Sequence, residues 1–341
     1  MGQTDIVWVA VNPGGAGTTT PLPPAIKVNE SEAVEFRITI VDGTVPTLAV
    51  NPIVNANTSL DGVGDCSVIG SALPAINMVQ VVKTAMPLMP GQYTDNCLPV
   101  SLTYLVSGAT SASGTGVPIG VAFNAGVSVI TYTVTDGAGN TNTAQITVTI
   151  TDDESPSITC PGPVTTSTDP GVCTRILDNS VLTPVTADNC VASPALTYAL
   201  AGATVGAGSG IAQVPYDKGV TTVTYTVDDG INPTANCMFN ITITDDEDPV
   251  IGALPADQSL FTTTMSCDQD FSWNHPTVTD NCPGPYMLTF EASGATTFGP
   301  VAVTPGDPIT CTFDKGVSTV TYVATDAAAN TSSASFTVTV S

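Results

Sequence analysis

The sequence predicts an all-β protein made of tandem β-sandwich domains in a linear array. Three observations support this prediction: an internal repeat, strands that alternate apolar and polar side chains, and cysteines at repeated positions. The repeat is roughly 90 residues long, so each copy is a whole small domain rather than one turn of a solenoid. We therefore expect a function that belongs to an array of modules.

Three sequence signatures define the repeat. The triplet Asp-Asn-Cys occurs at residues 95–97, 188–190 and 280–282, and a Thr-Tyr strand follows it at Tyr132, Tyr225 and Tyr322. An acidic junction of the form Asp-Asp-Glu-x-Pro begins at Asp152 and at Asp245. These signatures predict repeats at 42–151, 152–244 and 245–341, preceded by a partial unit at 1–41.

The strand pattern is clearest at 127–135. Ile130, Tyr132 and Val134 alternate there with threonines, and a second alternating segment at 144–150 follows a turn rich in Gly and Asn. Period-two alternation around such a turn is typical of a hairpin with one buried face. The pattern returns in each repeat, and no segment shows helical periodicity. Short strands separated by Gly and Pro favour immunoglobulin-like β-sandwich domains.

The charge balance restricts the partners of the chain. Six Lys and Arg stand against 30 Asp and Glu, for a net charge of −24, whereas hydrophobic residues make up 42%. Such a surface repels phosphate backbones and anionic lipid, so we expect no nucleic acid and no membrane insertion. No apolar run approaches a membrane span. Cations are the natural partners, together with other repeats of the same or neighbouring chains.

Nine cysteines indicate an oxidising, extracellular or cell-surface location. Cys160 and Cys237 both lie at inward positions of the second repeat, and both are replaced in the other two repeats, which favours a bridge between them. The remaining pairs are then expected within single repeats: Cys66 with Cys97, Cys173 with Cys190, and Cys267 with Cys282. Cys311 aligns with valines, which favours a buried thiol over an intermolecular bridge.

These residues resemble a known family. The segment 158–161 (ITCP), Cys173, the triplet 188–190, the strand 219–230 (GVTTVTYTVDDG) and Cys237 are similar to the hyalin repeat, or HYR, domain. The resemblance covers roughly residues 42–341 and is strongest in the second repeat. It implies immunoglobulin-like extracellular modules linked to cell adhesion, which in bacteria occur in tandem within large secreted surface proteins.

The first 41 residues allow two interpretations. The segment 34–40 aligns with the last strand of a repeat, and 41 residues are too few for a sandwich of their own. We expect a cut domain in an excerpt of a longer chain, which also fits the lack of a secretory signal at the N-terminus. The alternative is a self-assembling filament, joined by β-strand exchange through this segment.

The acidic junctions are the strongest candidate site. Adjacent carboxylates repel one another, and calcium accepts six to eight oxygens in irregular geometry. We predict interdomain calcium, with a solvated acidic linker as the alternative. The candidate ligands are Asp152, Asp153, Glu154, Asp245, Asp246, Glu247 and Asp248, with the turn acids Asp136 and Asp229. The turn acid Asp326 is expected at the same end of its repeat.

Other polar residues are predicted to be structural. Asp95, Asp188 and Asp280 are expected to fix turns by accepting hydrogen bonds from nearby amides, with a metal role as the alternative. The single histidine, His275, has no nucleophile motif nearby and is expected at a surface or edge. The chain is therefore predicted not to be an enzyme.

The sequence thus favours a non-enzymatic structural or adhesive protein, a stalk or filament body stiffened by disulfides and calcium. A second hypothesis is an accessory module of a secreted enzyme that binds a glycan or protein ligand. It requires an exposed aromatic platform, which only Trp8 and Trp273 could form.

Overall fold

The computed structural model describes residues 42–77, 80–81, 92–95, 100–263 and 266–341. It is 54% strand and 5% helix, which confirms the all-β prediction. The partial unit at 1–41, with Trp8, lies outside the described residues. Within these described residues the two α-helices are single turns, α1 (Pro74–Asn77) and α2 (Asn179–Leu182), and 3₁₀ turns occupy Thr58–Asp61 and Gly70–Ala72. In this part of the chain no helix is long and apolar enough to cross a membrane.

The strands follow the repeat. The first repeat contains β1 (Thr47–Leu48), β2 (Ile53–Asn57), β3 (Ser67–Ile69), β4 (Gln80–Val81), β5 (Gln92–Thr94), β6 (Ser101–Gly108), β7 (Ala112–Thr115), β8 (Ala122–Asn124), β9 (Gly126–Thr135) and β10 (Thr141–Thr151). The second contains β11 (Ser157–Thr159), β12 (Val164–Ser167), β13 (Thr174–Ile176), β14 (Val185–Ala187), β15 (Ala195–Gly202), β16 (Gly206–Ser209), β17 (Pro215–Asp217), β18 (Gly219–Asp228) and β19 (Ala235–Thr244). The third contains β20 (Val250–Ile251), β21 (Gln258–Leu260), β22 (Asp268–Asn274), β23 (Val278–Thr279), β24 (Met287–Gly294), β25 (Phe298–Val303), β26 (Pro308–Asp314), β27 (Gly316–Thr325) and β28 (Thr331–Val340).

One five-stranded sheet occurs three times. Its strand orders are β2-β10-β9-β6-β7, β12-β19-β18-β15-β16 and β21-β28-β27-β24-β25. In each sheet the first strand pairs with the last strand of the repeat in parallel, and the other pairs are antiparallel. This shared topology supports the view that the repeats are copies of one domain type.

The predicted hairpin is present at β9 and β10. Ile130, Tyr132 and Val134 are fully buried, whereas the threonines between them are partly exposed. Ile130 pairs with Ile146 across the hairpin, so the apolar side chains of both strands face the same side. The sequence alternation therefore specifies which face of the sheet forms the core.

A second layer of small sheets covers each buried face. In the first repeat β3 pairs with β8, and their side chains Val68 and Phe123 join Ile130 and Ile146 in one hydrophobic cluster. The second and third repeats have their own clusters, centred on Tyr225 and on Tyr322. Each repeat is thus a two-layered, immunoglobulin-like sandwich with its own core.

Internal contacts divide the chain into two compact units. The first comprises residues 1–154, as far as they are described, with Asn189–Ala192. The second comprises Ser155–Asp188 and Ser193–Ser341, and so contains both the second and the third five-stranded sheet. The repeat boundaries at 151/152 and 244/245 stay predictions.

The disulfides confirm one predicted pairing and correct the others. Cys160 is bonded to Cys237 as expected, with 5.6 Å between the Cα atoms. Cys66 is bonded to Cys190, not to Cys97, within the first unit, and Cys97 itself lies outside the described residues. Cys173 is bonded to Cys282 within the second unit, so the predicted pairs Cys173–Cys190 and Cys267–Cys282 are wrong. The corrected bonds start at Cys66 of the first repeat and at Cys173 of the second. Each ends at the cysteine of the Asp-Asn-Cys triplet in the following repeat.

Cys267 and Cys282 of the third repeat are too far apart to form the predicted bond. The carbonyl of Cys267 accepts a hydrogen bond from the amide of Lys315, which precedes β27. Cys282 lies near the other end of β27, because the neighbouring Asp280 approaches Asp326 in the turn after that strand. A ten-residue strand is about 33 Å long, whereas bonded cysteines need Cα atoms less than about 7 Å apart. Cys267 is consequently a free, exposed thiol.

The remaining cysteine and the aromatic candidates are structural. Cys311 is a free, half-buried thiol packed against the core of the third repeat, in line with the buried-thiol prediction, and burial raises its pKa. His275 is buried rather than at a surface, because its ring packs against Phe290 and Tyr322. Trp273 is also buried, so it cannot form the exposed aromatic platform. Phe261 is the one aromatic among the exposed large hydrophobic side chains of the described chain.

Candidate cation sites

Three aspartates meet in the second unit. Asp245 follows β19, Asp280 follows β23, and Asp326 lies in the turn after β27. One carboxylate oxygen from each lies within 4.8 Å of the others. Asp245 and Asp326 are 7% and 8% exposed, so these charges are largely removed from water. These three aspartates of the third repeat form one acidic cluster directly after the last strand of the second repeat, and we call it the second-unit cluster.

The turn after β27 fixes the position of Asp326. Its Oδ1 accepts hydrogen bonds from the amides of Ala328 and Asn330 at 2.9 and 2.7 Å, and its Oδ2 accepts one from Asn330 Nδ2 at 2.9 Å. Burial raises the pKa of Asp326, but the hydrogen bonds and the nearby Lys218 charge outweigh it. The net pKa lies below the usual value, so this carboxylate is ionised at neutral pH.

A lysine neutralises part of the second-unit cluster. Lys218 Nζ lies 2.9 Å from Asp245 Oδ2, and the Asp245 side chain is fully buried while that of Lys218 is 32% exposed. Asp245 Oδ1 accepts the amide of Glu247 at 3.4 Å. Three carboxylates and one ammonium leave an excess of negative charge.

Two buried oxygens of the triplet lack donors. Asp280 Oδ1 accepts the amide of Cys282 at 2.9 Å, as predicted for a turn former, but its Oδ2 is buried and has no hydrogen bond within the described chain. Asn281 donates through Nδ2 to the Val172 carbonyl at 3.2 Å, and its Oδ1 is likewise buried and unsatisfied there. A buried acceptor without a donor is costly unless a cation or water satisfies it.

The first unit contains an equivalent cluster. Asp42, Asp95 and Asp136 bring three carboxylate oxygens within 4.8 Å of one another. Asp136 accepts the amides of Ala138 and Asn140 at 2.9 and 2.8 Å, in the same type of turn as Asp326. Burial raises the pKa of Asp136, but these hydrogen bonds outweigh it and lower the net pKa.

The aspartates around the acidic junction that begins at Asp152 belong to two different units. Asp152 belongs to the first unit, where it is 3% exposed and receives a hydrogen bond from Thr58 Oγ1 at 3.5 Å. Asp188 and Asp229 belong to the second unit. Hydrogen bonds from Ile231 and Asn232 lower the pKa of Asp229, which is the turn acid of the second repeat.

The other predicted ligands are used in local hydrogen bonds or face solvent. Asp153 accepts from Ser59 Oγ at 2.6 Å, which lowers its pKa, and Glu154 accepts from Asn189 Nδ2 at 3.0 Å. Glu247 accepts the amide of Gly171 at 2.7 Å, and Asp248 accepts the amide of Thr331 at 3.2 Å. Asp246 is exposed. The first acid of a junction is buried, and the later acids lie outside the cluster.

Sequence reasoning missed several members of these clusters. Asp42, Asp95 and Asp280 were not among the predicted ligands, and Asp326 was expected only at the same end of its repeat. The signal was present as position-for-position repetition: Asp42, Asp152 and Asp245 are equivalent, as are Asp95, Asp188 and Asp280, and Asp136, Asp229 and Asp326. Asp280 fixes its turn through Oδ1 and also contributes a carboxylate oxygen to the cluster.

No protein-family model and no curated protein matches the chain. Among solved structures it is similar to the human desmocollin-1 ectodomain, at TM-score 0.28 and 13% identity, covering 87% of this chain and 61% of that one. Mouse cadherin-23 EC22–24 gives 0.31 and 12%, covering 87% and 99%, and the immunoglobulin domains 1–5 of Sidekick-1 give 0.27 and 13%, covering 70% and 52%. The chain thus spans about three fifths of the desmocollin-1 chain. At these values the likeness carries no conclusion about function, and the HYR resemblance stays a prediction.

Proposed function

We propose that this chain is a non-enzymatic, extracellular structural and adhesive protein built from HYR-like tandem repeats. Its repeats are joined by disulfides, and its buried aspartate clusters bind calcium. One observation carries the proposal: in the second unit, successive repeats are joined by a disulfide, Cys173–Cys282, and by an ion pair from Lys218 to Asp245, a member of the acidic cluster with Asp280 and Asp326. Covalent and ionic contacts that fix one repeat to the next favour a role in bearing mechanical load over a role in catalysis.

The chemistry of the second-unit cluster favours a hard divalent cation. Carboxylate and amide oxygens are the ligands that calcium prefers, and its coordination tolerates irregular spacing. The three carboxylates provide negative charge in excess of Lys218, and Asp280 Oδ2 and Asn281 Oδ1 provide buried oxygens without donors. A bound cation would accept electron density from the carboxylate oxygens of the cluster and reduce the repulsion between the three aspartates.

The disulfides support the proposed location. Three bonds are formed among the described cysteines, and two of them connect residues more than 100 positions apart. Structural disulfides persist in oxidising environments such as the cell exterior. The proposed partners are other repeats of the same or neighbouring chains, since the Cys173–Cys282 bond and the Lys218–Asp245 ion pair both join one repeat to the next.

Calcium binding can be tested by titration calorimetry and by thermal unfolding in calcium and in chelator. We expect dissociation constants of roughly 10⁻⁴–10⁻³ M, as in extracellular modules. Calcium at ten times the dissociation constant then adds about 1.4 kcal/mol per site to the free energy of unfolding. The melting temperature should rise by a few degrees.

A matched pair of variants assigns the effect to the cluster. Asp280→Asn keeps the Oδ1 acceptor for the Cys282 amide but removes one charge, so we expect it to remove one calcium site. Asp246→Asn removes an exposed charge outside the cluster and should leave binding unchanged. Equal loss of affinity in both variants, or melting that is insensitive to chelator in the parent chain, would contradict the calcium proposal.

A further inference from the structure

The Cys173–Cys282 disulfide is connected to the second-unit cluster on both of its sides. On the side of the third repeat, the amide of Cys282 donates to Asp280 Oδ1 at 2.9 Å. On the side of the second repeat, the carbonyl of Cys173 accepts the amide of Lys218 at 3.2 Å. Lys218 Nζ in turn lies 2.9 Å from Asp245 Oδ2. The disulfide thus links the residues that hold two of the three clustered aspartates.

The last hairpin of the second repeat places Asp245 on the Cys173 side. Lys218 directly precedes β18, and Asp245 directly follows β19. Gly219 pairs with Ile243 in this hairpin, so the backbones of Lys218 and Asp245 lie close together. The backbone of Asp245 is therefore held by a strand of the second repeat, whether or not the lysine side chain is present.

Strands of the third repeat place the other two aspartates. Asp280 follows β23, which pairs with β20, and Asp326 lies in the turn between β27 and β28. The distances among the three carboxylates consequently depend on how firmly the second repeat is fixed to the third. The Cys173–Cys282 bond is the covalent contact that fixes them beside the cluster.

This bond opposes a repulsion inside the cluster. Carboxylate oxygens of Asp245, Asp280 and Asp326 lie within 4.8 Å of one another, and like charges at that separation repel. While the bond is intact, Cys282 cannot move away from Cys173, so Asp280 stays near Asp245 before a cation arrives. A site that is assembled in advance loses less conformational freedom on binding and so binds more tightly.

We propose that the Cys173–Cys282 disulfide controls cation binding at the second-unit cluster, and that the bound cation protects this disulfide from reduction. The inference rests on the calcium binding proposed above and adds its regulation. Coupling between two sites is reciprocal, so the factor by which the bond strengthens calcium binding is also the factor by which calcium disfavours reduction. The joint between the two repeats then responds to calcium and to the redox state of its surroundings together.

Other contacts between the second and third repeats limit the size of this effect. Asn281 Nδ2 donates to the Val172 carbonyl at 3.2 Å and to Thr168 Oγ1 at 3.3 Å, and Glu247 accepts the amide of Gly171 at 2.7 Å. These hydrogen bonds keep the repeats in contact after reduction. We therefore expect reduction to weaken calcium binding by roughly fivefold to tenfold, at the low end of coupling between sites.

Reduction requires a reductant, for which a dithiol such as dithiothreitol serves. One thiolate of the dithiol attacks a sulfur of the Cys173–Cys282 bond, which forms a mixed disulfide and releases the other cysteine as a thiolate. The second thiolate of the reductant then displaces the first cysteine and closes a cyclic disulfide. Two electrons and two protons pass from the dithiol to the cysteines, so one disulfide is reduced and one is formed.

Titration calorimetry of the full chain measures the effect of the bond on calcium. The parent chain is compared with the double variant Cys173→Ser and Cys282→Ser, which removes the bond at nearly constant size. The control is Cys160→Ser with Cys237→Ser, because Cys237 precedes Asp245 by eight residues along β19, about 26 Å. We expect one calcium site to weaken by roughly fivefold to tenfold in the first variant and to be unchanged in the control.

The reciprocal effect is measured on the parent chain, so it does not depend on the folding of a variant. The chain is equilibrated with graded ratios of reduced to oxidised dithiothreitol, in calcium and in chelator, then alkylated and mapped by mass spectrometry. Saturating calcium should raise the ratio that half-reduces Cys173–Cys282 by the same factor, roughly fivefold to tenfold. Cys160–Cys237 should show no shift, and Asp280→Asn should abolish the shift at Cys173–Cys282.

The two measurements separate the redox control from calcium binding itself. Calcium affinity that is unchanged or higher without the Cys173–Cys282 bond would overturn the redox control and leave the proposed function standing. A calcium shift that is equal for both disulfides would also overturn it, because general stabilisation of the chain would then explain the result. An oxidised parent chain that binds no calcium would refute both proposals.

Discussion

The indole Nε1 of Trp273 donates a hydrogen bond to the hydroxyl of Tyr322 at 2.8 Å, inside the core of the third repeat. The same hydroxyl lies 2.8 Å from Nδ1 of His275. Because the indole can only donate, the tyrosine proton is available to a neutral histidine nitrogen. The three side chains therefore form one directed chain of hydrogen bonds in the core of the third repeat.

The equivalent tyrosines have different partners. The hydroxyl of Tyr225 accepts the amide of Ala212 at 3.0 Å. The hydroxyl of Tyr132 is buried and has no hydrogen-bond partner in the part of the chain that is described. Burial raises the pKa of Tyr322 to about 12, with a smaller opposing effect from the Trp273 hydrogen bond, so it stays protonated at neutral pH. Because these tyrosines occupy the same position of the repeat, the same substitution can be compared in two different hydrogen-bonding environments.

Tyr322→Phe should destabilise the third repeat, whereas Tyr132→Phe should have little effect on the first. The first change leaves Trp273 and His275 with unsatisfied buried nitrogens, at a cost of about 1–3 kcal/mol for each group. The second removes a hydroxyl that gains no hydrogen bond from the described residues. Denaturant unfolding of both variants measures the difference, and equal losses would contradict the hydrogen-bond chain.

The stability of the third repeat should fall as the pH is lowered from about 7 toward 5. Burial lowers the pKa of His275 below its usual value, against a smaller opposing effect of Asp307. In that window the unfolded chain binds a proton that the folded chain excludes, so unfolding is favoured as pH falls through the unfolded pKa of about 6.5. Protonation would also place a donor on Nδ1, opposite a hydroxyl that donates.

His275 is the one histidine in the sequence, so no other imidazole contributes to the pH dependence. His275→Gln keeps an acceptor for Tyr322 but does not titrate, and its melting temperature should not change between pH 7 and 5. If the parent chain and the variant show the same pH dependence, the buried histidine is not its cause.

Lys218→Met should strengthen calcium binding in the second unit by roughly threefold to tenfold. The Lys218 ammonium lies 2.9 Å from Asp245 Oδ2 and neutralises part of the negative charge that would attract a calcium ion. Lys315→Met removes the equivalent lysine, which has no ion pair among the described residues, and serves as the control. Titration calorimetry distinguishes them, and weaker binding in Lys218→Met would show that the lysine organises the site rather than competes for it.

Gly202→Ala should cost about 1–3 kcal/mol of stability, because overpacking adds to backbone strain. Gly202 has φ +109°, and a Cβ there would lie 2.3 Å from the carbonyl oxygen of Val220. Gly210 also has positive φ, +80°, but a Cβ there meets no atom within 4 Å. Gly210→Ala should therefore cost less, and denaturant midpoints of the two variants decide whether the close approach matters.

The sequence is enough to predict the β-sandwich fold of each repeat, but not the disulfides that link one repeat to the next. Alternation at Ile130, Tyr132 and Val134 predicts the hairpin, because a period of two leaves one possible buried face. Pairing of the cysteines within single repeats assumes that each repeat forms its own disulfides, whereas Cys66 and Cys173 are bonded to cysteines of the following repeat. The chain pattern cannot show that Cys267 and Cys282 lie near opposite ends of one strand, since that follows from the strand pairing.

The candidate site shows the same limit. Runs of acids predicted a cation site at the junctions, and Asp245 does lie in a cluster. Glu247 and Asp248 accept hydrogen bonds from the amides of Gly171 and Thr331 instead, so a run of acids in the sequence does not become a set of ligands at one site. Asp280 comes from a different strand connection, so only the folded repeat brings it to Asp245.

The parallel pairing of the first and last strands has a mechanical consequence. In the second repeat β12 runs beside β19 from Val164–Ile241 to Ser167–Thr244. When the two ends of a repeat are pulled apart, strands that run in the same direction slide along each other, so their hydrogen bonds are loaded together rather than opened one by one. Such a shear geometry resists tension, and the Cys160–Cys237 bond would limit how far the repeat could extend once that ladder breaks.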